Sequence, residues 1–159
     1  MNLTVRSAEF RDLEFIARGN AAMALETEHR SLDEYTVRRG VLAAFEEPAR
    51  GRYFVVETDG RVVGQLLITY EWSDWRNGAF WWIQSVYVLP EARRSGAFRA
   101  LYQHVEGLAR RTPEVCGLRL YVELDNERAQ ATYRRCGMVD AGYRVMEVDY
   151  SGAVHTAGG

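Results

Sequence analysis

The stretch with the clearest chemical content runs from Val86 to Tyr102: Val-Tyr-Val-Leu-Pro-Glu-Ala-Arg-Arg-Ser-Gly-Ala-Phe-Arg-Ala-Leu-Tyr. Its start reads as a buried strand that Leu89-Pro90 ends, because proline has no N–H for a sheet ladder. Arg93, Arg94 and Ser95 make a polar turn, and Gly96 lets the backbone come close to a neighbour. From there Phe98, Leu101, Tyr102, Val105, Leu108 and Ala109 recur at helical spacing. A strand that enters a helix through such a turn aims free N–H groups and the positive end of the helix dipole at one spot. That spot suits a phosphate or pyrophosphate, with two guanidinium groups beside it. The same residues fit a plain strand-to-helix connection with exposed arginines, and the stretch alone does not choose between the two. A Walker loop is excluded, since no Gly-Lys-Ser/Thr follows, and a dinucleotide fingerprint is excluded because its glycines are missing.

Other chemistries find less support. Cys116 and Cys136 form no CxxC, and His29, His104 and His155 form no ligand-spaced cluster, so no metal site is expected. Cys136 falls on the inner side of a helical pattern, where a free core thiol is the expectation. The chain has 159 residues, 47% apolar and 26% charged, enough for one folded domain over residues 1–150, with a disordered tail at 151–159. A net charge of -2 argues against general nucleic-acid binding. The opening Met1-Asn2-Leu3-Thr4-Val5-Arg6 reaches charge too early for a signal peptide, and no uncharged apolar run could cross a bilayer. A cytoplasmic protein with no membrane partner is the expectation, and a reducing compartment fits both cysteines.

The elements that must position the loop follow from periodicity and turn residues. Leu3 to Arg6 alternates as a first strand, and Ser7 can cap a helix marked by Phe10, Leu13, Ile16, Ala17, Asn20 and Met23. A second helix spans about Asp33 to Phe45. Two hairpins follow: Tyr53–Thr58, turning at Asp59-Gly60 into Arg61–Trp72, and a turn at Asn77-Gly78 into Phe80–Val88. This fourth strand is nearly continuously apolar, so it should be central. After the basic loop and its helix, Leu118–Leu124 reads as a fifth strand, parallel to the fourth because a helix joins them. Asp125-Asn126 caps a fourth helix with Ala129, Thr132, Tyr133 and Cys136 inward, Gly137 ends it, and two more strands fit in Met138–Tyr150. The expected fold is α+β: a mixed, mostly antiparallel sheet of six to seven strands flanked by about four helices.

This order of elements, with two segments in it, resembles the GCN5-related N-acetyltransferase superfamily. Arg93-Arg94-Ser95-Gly96-Ala97-Phe98 looks like the family's pyrophosphate loop, Arg/Gln-x-x-Gly-x-Gly/Ala. Asp125 to Met138 looks like its segment from strand five into helix four, with Asn126, then Ala, then Tyr133, then Gly137 before an apolar residue. Phe98 departs from the pattern, standing where a second Gly or Ala is usual.

The resemblance implies acetyl transfer from acetyl-CoA to a primary amine, by direct attack in a ternary complex and without a metal. It implies that strands four and five splay and that the backbone of Val86 and Val88 pairs with the pantetheine arm. Backbone N–H groups from Arg94 through Ser95, Gly96 and Ala97 to Phe98 would take the pyrophosphate, with Arg93 and Arg94 adding charge. Asn126 would bond the pantetheine arm. Tyr133, two helical turns after Asn126, would be the general acid for the leaving thiolate; a core tyrosine is the competing reading. The amine needs a base, and Glu71, Glu28 and Glu123 are the candidates, each equally readable as a surface carboxylate. Gln84 sits near where many relatives carry a glutamate base and cannot itself take the proton. Glu28, Glu71, Trp72 and Gln84 form the expected acceptor site, and nearby Glu26, Asp33, Glu34 and Asp74 suggest a cationic small molecule. Competing readings are a protein lysine or N-terminal acetyltransferase and a non-catalytic acyl-CoA-binding domain. The aromatic hairpin with Trp72 and Trp75 is a plausible homodimer contact.

Overall fold

Two tight turns set the sheet. In the computed structural model, which describes residues 2–151, Asp59 and Gly60 take φ of 53° and 75°. That left-handed pair makes the primed turn that matches strand twist. It joins β2 (Arg52–Thr58) to β3 (Arg61–Ser73). Asn77, at φ 48°, turns β3 into β4 (Gly78–Val88). With β1 (Leu3–Ser7) and β5 (Val115–Leu120), these form one sheet in the order β1-β2-β3-β4-β5. All pairs are antiparallel except β4 with β5, which is parallel. The sheet therefore has five strands and not the expected six to seven. Residues 138–150 form neither helix nor strand. Alternation makes a segment fit to be a strand, but a strand forms only against a partner edge.

The chain divides into two compact units, one reaching Tyr121 and the other starting at Val122. In the first, strand alternation sends neighbouring residues to opposite faces. Tyr53 and Val55 of β2 pack with Leu13, Ile16 and Ala17 of α1 (Leu13–Glu28) and Val41 of α2 (Glu34–Glu46). Phe54 points the other way, its ring 5.4 Å from His104 of α3 (Ala97–Arg111). Ile16, Phe54, Leu66, Leu101 and Val105 are wholly buried, each contributing about 1.5–3 kcal/mol. The second unit holds α4 (Glu127–Arg135), which Asn126 caps by accepting from the Ala129 N–H at 3.0 Å. Gly137, at φ 91°, closes it as expected.

Boundaries moved in two places. Ser7 ends β1 and does not cap α1; Glu9 and Asp12 form a capping box ahead of that helix instead. β5 starts at Val115 and stops at Leu120, earlier at both ends than its apolar run suggests. Cys136 is half-buried and Cys116 exposed, both as free thiols. Residues 152–159, most of the expected disordered tail, lie outside the described residues. No helix among the described residues is long and apolar enough to cross a membrane.

Two polar devices fix α1 on the sheet. Gln65, wholly buried on β3, donates to the Ile16 carbonyl at 3.2 Å and to Asn20 at 2.7 Å. Gly19 makes room, since a Cβ there would lie 3.1 Å from the Gln65 amide. At the other end, Arg6 of β1 reaches Asp12 through two nitrogens at 2.7 and 3.1 Å, and Glu57 of β2 at 2.8 Å. Burial pushes the Asp12 carboxyl up, but the bonds from Arg6 and from the Glu9 N–H outweigh it and hold it below the usual 3.8. A carboxyl lowered on folding adds stability above its unfolded value that is lost as pH falls through the folded one. Asp12→Asn should therefore cost about 1–3 kcal/mol in urea unfolding at neutral pH, because it removes a charge-assisted bond to Arg6 while Glu57 still pairs that guanidinium. The gap between variant and native protein should narrow below pH 3.8; a pH-independent gap would show that the charge pair is not its source.

Candidate active site

β4 loses one neighbour part-way along. Its last pair with β5 is Ile83 with Leu120, and it continues through Gln84 to Val88 with β3 alone. At the same point the β3 register slips. Leu67 pairs with Ser85 and Ile68 with Ile83, which leaves Gln84 as an extra, bulged residue. Beyond the bulge, Leu89 N–H bonds the Val63 carbonyl at 2.9 Å, so the odd residues Ser85, Tyr87 and Leu89 bond to β3. Val86 and Val88 then aim their N–H and C=O groups at the side where β5 no longer follows. These are the two residues expected to pair with an extended, amide-bearing arm.

The strand runs into a tight approach to α3. Arg94 adopts φ 64° and Gly96 φ 88°, so two left-handed residues turn the chain before the helix starts at Ala97. Ser95 Oγ donates to the Ala92 carbonyl at 2.5 Å and braces the turn. The first N–H groups of the helix, at Ala97, Phe98 and Arg99, have no carbonyl within the helix to bond. Phe98 is half-buried with its ring 6.1 Å from that of Tyr102, so its bulk lies along α3. Its backbone N–H can thus serve an anion although the residue departs from the usual small type.

The two arginines have different surroundings. Arg93 donates to Glu26 of α1 at 2.7 Å and to the Val88 carbonyl at 3.0 Å, with its guanidinium 5.5 Å from the Tyr87 ring centre. The Tyr87 hydroxyl donates to the other Glu26 oxygen at 3.1 Å. The Arg93 bond holds the Glu26 carboxyl below its ordinary range, while burial and then Glu26 push the Tyr87 phenol up. Arg94 is exposed and makes no ion pair with a described residue. It is the free cation of the loop. No local pattern signals the Glu26–Arg93 bond, which joins residues 67 positions apart.

Past the bulge, the face of the sheet that carries Gln65 and Tyr87 continues through Thr69, Glu71 and Trp82. Gln84 is exposed and donates to Thr69 Oγ1 at 3.0 Å. Glu71 Oε1 accepts from Trp82 Nε1 at 3.1 Å and from Arg119 at 2.7 Å. Arg119 lies 3.7 Å over the Phe80 ring, and Trp82 is 4.5 Å from Tyr121. Arg119 was missed in the sequence; its place opposite Trp82 in the β4–β5 register is what brings it to Glu71. Trp72 follows Glu71 on the strand and so projects from the opposite face, 62% exposed. The structure therefore brings Glu71 and Gln84 onto one face and sets Trp72 apart from them. Glu28 is exposed at the end of α1, and Glu123 is exposed in the turn before α4, where its carbonyl accepts from Gln130.

In the second unit, Asn126 spends its side-chain oxygen on the α4 cap. Tyr133 is half-buried on α4, and burial, with the Cys136 thiol adding, pushes its phenol above 10.0, so it keeps its proton at neutral pH. Among the described residues, no group of His, Cys, Asp or Glu could hold a metal ion.

The β4 edge beyond β5 thus leads into a left-handed glycine at the start of α3. The sequence profile of the Acetyltransferase (GNAT) family matches residues 16–138. The chain belongs to this family. It is an acyltransferase of the GNAT class. Its fold matches that of a possible acetyltransferase from Clostridium difficile 630 with 40% identity and a TM-score of 0.87, over 94% of this chain and 98% of that one. An integron cassette protein from the mobile metagenome of Cole Harbour Salt Marsh shares the fold at 21% identity and TM-score 0.80, over 92% and 90% of the two chains. So does a ribosomal-protein-alanine N-acetyltransferase from Brucella melitensis biovar Abortus 2308, at 15% identity and TM-score 0.73, over 94% and 100%. No curated protein matches the chain.

Gly96 offers a test of the loop geometry. A Cβ there would meet only Leu3 Cδ1, at 3.8 Å, so Gly96→Ala adds no clash and its cost is that of the left-handed backbone. The loss should be about 1 kcal/mol in urea unfolding. A neutral result would mean that the turn relaxes out of φ 88°.

Proposed function

We propose that this GNAT acyltransferase moves an acetyl group from acetyl-CoA to the primary amine of a small molecule. The observation that carries the reading is the run of β4 beyond β5, with Val86 and Val88 facing outward and ending at the Gly96 turn. When bound, acetyl-CoA supplies a thioester carbonyl open to attack by the amine. Val86 and Val88 hold the pantetheine amides as an added strand would. The N–H groups from Ser95 to Phe98 and the α3 dipole hold the pyrophosphate, and Arg94 supplies the charge. Arg93, tied to Glu26, braces the end of the open edge.

Tyr133 gives its proton to the sulfur as the carbon–sulfur bond breaks, and the raised phenol suits a group that must arrive protonated. Of the three candidate carboxylates, Glu71 is the one fixed on the face that bears Gln84. It takes the amine's proton through a water, with Gln84 orienting that water. Trp82 and Tyr121 give this face an aromatic wall suited to the apolar body of a small amine.

Titration calorimetry with acetyl-CoA should give saturable one-to-one binding. Gly96→Glu should abolish it by placing a carboxylate against the pyrophosphate, and retained affinity would move the cradle elsewhere. Tyr133→Phe should lower the rate of CoA release with an accepted amine roughly a hundredfold while leaving acetyl-CoA affinity nearly unchanged. Unaltered turnover would remove Tyr133 from the chemistry. Arg94→Ala should weaken CoA about tenfold and flatten the salt dependence of binding; an unchanged salt dependence would take Arg94 off the phosphate.

A further inference from the structure

On the face that carries Glu71 and Gln84, one glycine makes a platform. A Cβ on Gly117 would lie 2.8 Å from Phe80 Cε1, so the lack of a side chain there lets the Phe80 ring lie against β5. Two guanidinium groups use that ring. Arg119 stands 3.7 Å from its centre, and Arg76, in the turn between β3 and β4, stands 4.9 Å from it. The face of an aromatic ring attracts a cation but leaves its charge uncancelled. Among the described residues, Glu71 is the one carboxylate bonded to either arginine; Arg76 bonds only the Ser73 hydroxyl, at 3.4 Å. Two cations against one anion leave the cluster positive.

The bonds inside the cluster also leave part of each fork open. Trp82 Nε1 and Arg119 Nη1 both donate to the same Glu71 oxygen, Oε1. Glu71 Oε2 accepts from no described residue. Arg119 carries N–H donors on all three guanidinium nitrogens, and Nε and Nη2 meet no acceptor among the described residues. A pair serving only to join β3 to β5 gains most by closing both forks with two parallel bonds. Here a single bond joins them, and the side chains stay 43% and 24% exposed.

A free carboxylate oxygen suits an amine, and free guanidinium N–H groups suit an anion. Arg119 Nη1 and Glu71 Oε1 are 2.7 Å apart, so a ligand using both residues must carry its amine and its anion close together. An α-amino acid carries them on one carbon. A carboxylate fits better than a phosphate, because Glu71 stands beside the position and repels a second negative charge. Trp82 and Tyr121, with ring centres 4.5 Å apart, offer apolar surface to a side chain. We propose that the acceptor is an α-amino acid with an apolar side chain, its carboxylate on Arg119 and its amine toward Glu71, a reading that rests on the acetyl transfer proposed above. The amine nitrogen bonds the acetyl carbon as the carbon–sulfur bond breaks. Its proton passes through water to Glu71, the sulfur takes the Tyr133 proton, and the products are an N-acetyl amino acid and CoA as the thiol.

L-phenylalanine, L-phenylalaninamide and 2-phenylethylamine share a ring and an amine and differ at the carboxylate. CoA release by the native protein should give kcat/KM for phenylalanine roughly ten- to a hundredfold above the other two, the worth of a hydrogen bond to a charged group. Arg119→Gln should raise KM for phenylalanine about tenfold, leave its kcat near the native value, and leave both constants for 2-phenylethylamine nearly unchanged. A merely structural Arg119 would lower activity on both substrates alike. The comparison of the three substrates on the native chain stands even if the variant folds poorly. Equal kcat/KM for the three, a preference for 2-phenylethylamine, or an Arg119→Gln variant that keeps the native preference would overturn the inference and leave acetyl transfer standing. Binding of acetyl-CoA with none of the three acetylated would overturn the inference alone. Failure to bind acetyl-CoA would bring down the acetyl-transfer reading with it.

Discussion

From Gln84 to Val88, β4 has a hydrogen-bonded neighbour on one side only. A main-chain N–H or C=O that is neither paired nor hydrated costs about as much as a lost hydrogen bond. A central strand therefore cannot simply lose a neighbour. Its free groups must meet water, a side chain or a ligand. The protein meets the constraint in two ways. Arg93 takes the Val88 carbonyl, and the side toward the bulge stays open. The other features of the candidate site follow from that gap. The bulge that leaves Gln84 unpaired bends the strand, the register of Phe80 to Ile83 against β5 sets how far the gap extends, and the Gly96 turn ends it in a row of N–H groups.

The same constraint explains how α1 is used. A strand that loses a neighbour part-way along weakens the packing around it unless the flanks are tied down. α1 is held at one end by Asp12 and Arg6, in its middle by Gln65, and at its far end by Glu26 with Tyr87 and Arg93. Every one of these ties is polar, and most cross many residues of sequence. An apolar contact tolerates sliding of a helix along a sheet, whereas a bidentate guanidinium or a buried amide has one geometry. Apolar packing from Ile16, Ala17, Val41 and Val55 stabilises the face, and the polar ties fix where on the face the helix end sits.

Local rules explain which parts of this were legible in the sequence. Asp59-Gly60 and Asn77-Gly78 demand positive φ, so both hairpins could be placed by residue type alone. The helical spacing from Leu101 to Ala109 and the Asn126 cap likewise depend on near neighbours. The turn from β4 into α3 was legible for the same reason, since a strand, a left-handed glycine and a helix follow one another in the chain. What stayed hidden depends on register. Whether Glu71 meets Arg119, or Arg93 meets Glu26, is decided by which residues pair across strands and by one bulged residue, and neither can be read from composition or period. The separation of Trp72 from Glu71 was available in principle, because consecutive strand residues face opposite sides, but proximity in sequence suggested a shared site.

The strand count turns on the same distinction. Periodicity states which faces a segment can present; it does not supply the edge against which a ladder forms. For β1 to β4 that edge comes with the antiparallel neighbour to which each is paired, and for β5 it comes through a helix that returns the chain to β4. Residues 138–150 have the alternation without such an edge beside them in the chain order, because α4 and its Gly137 cap intervene with no crossover geometry that the sequence specifies.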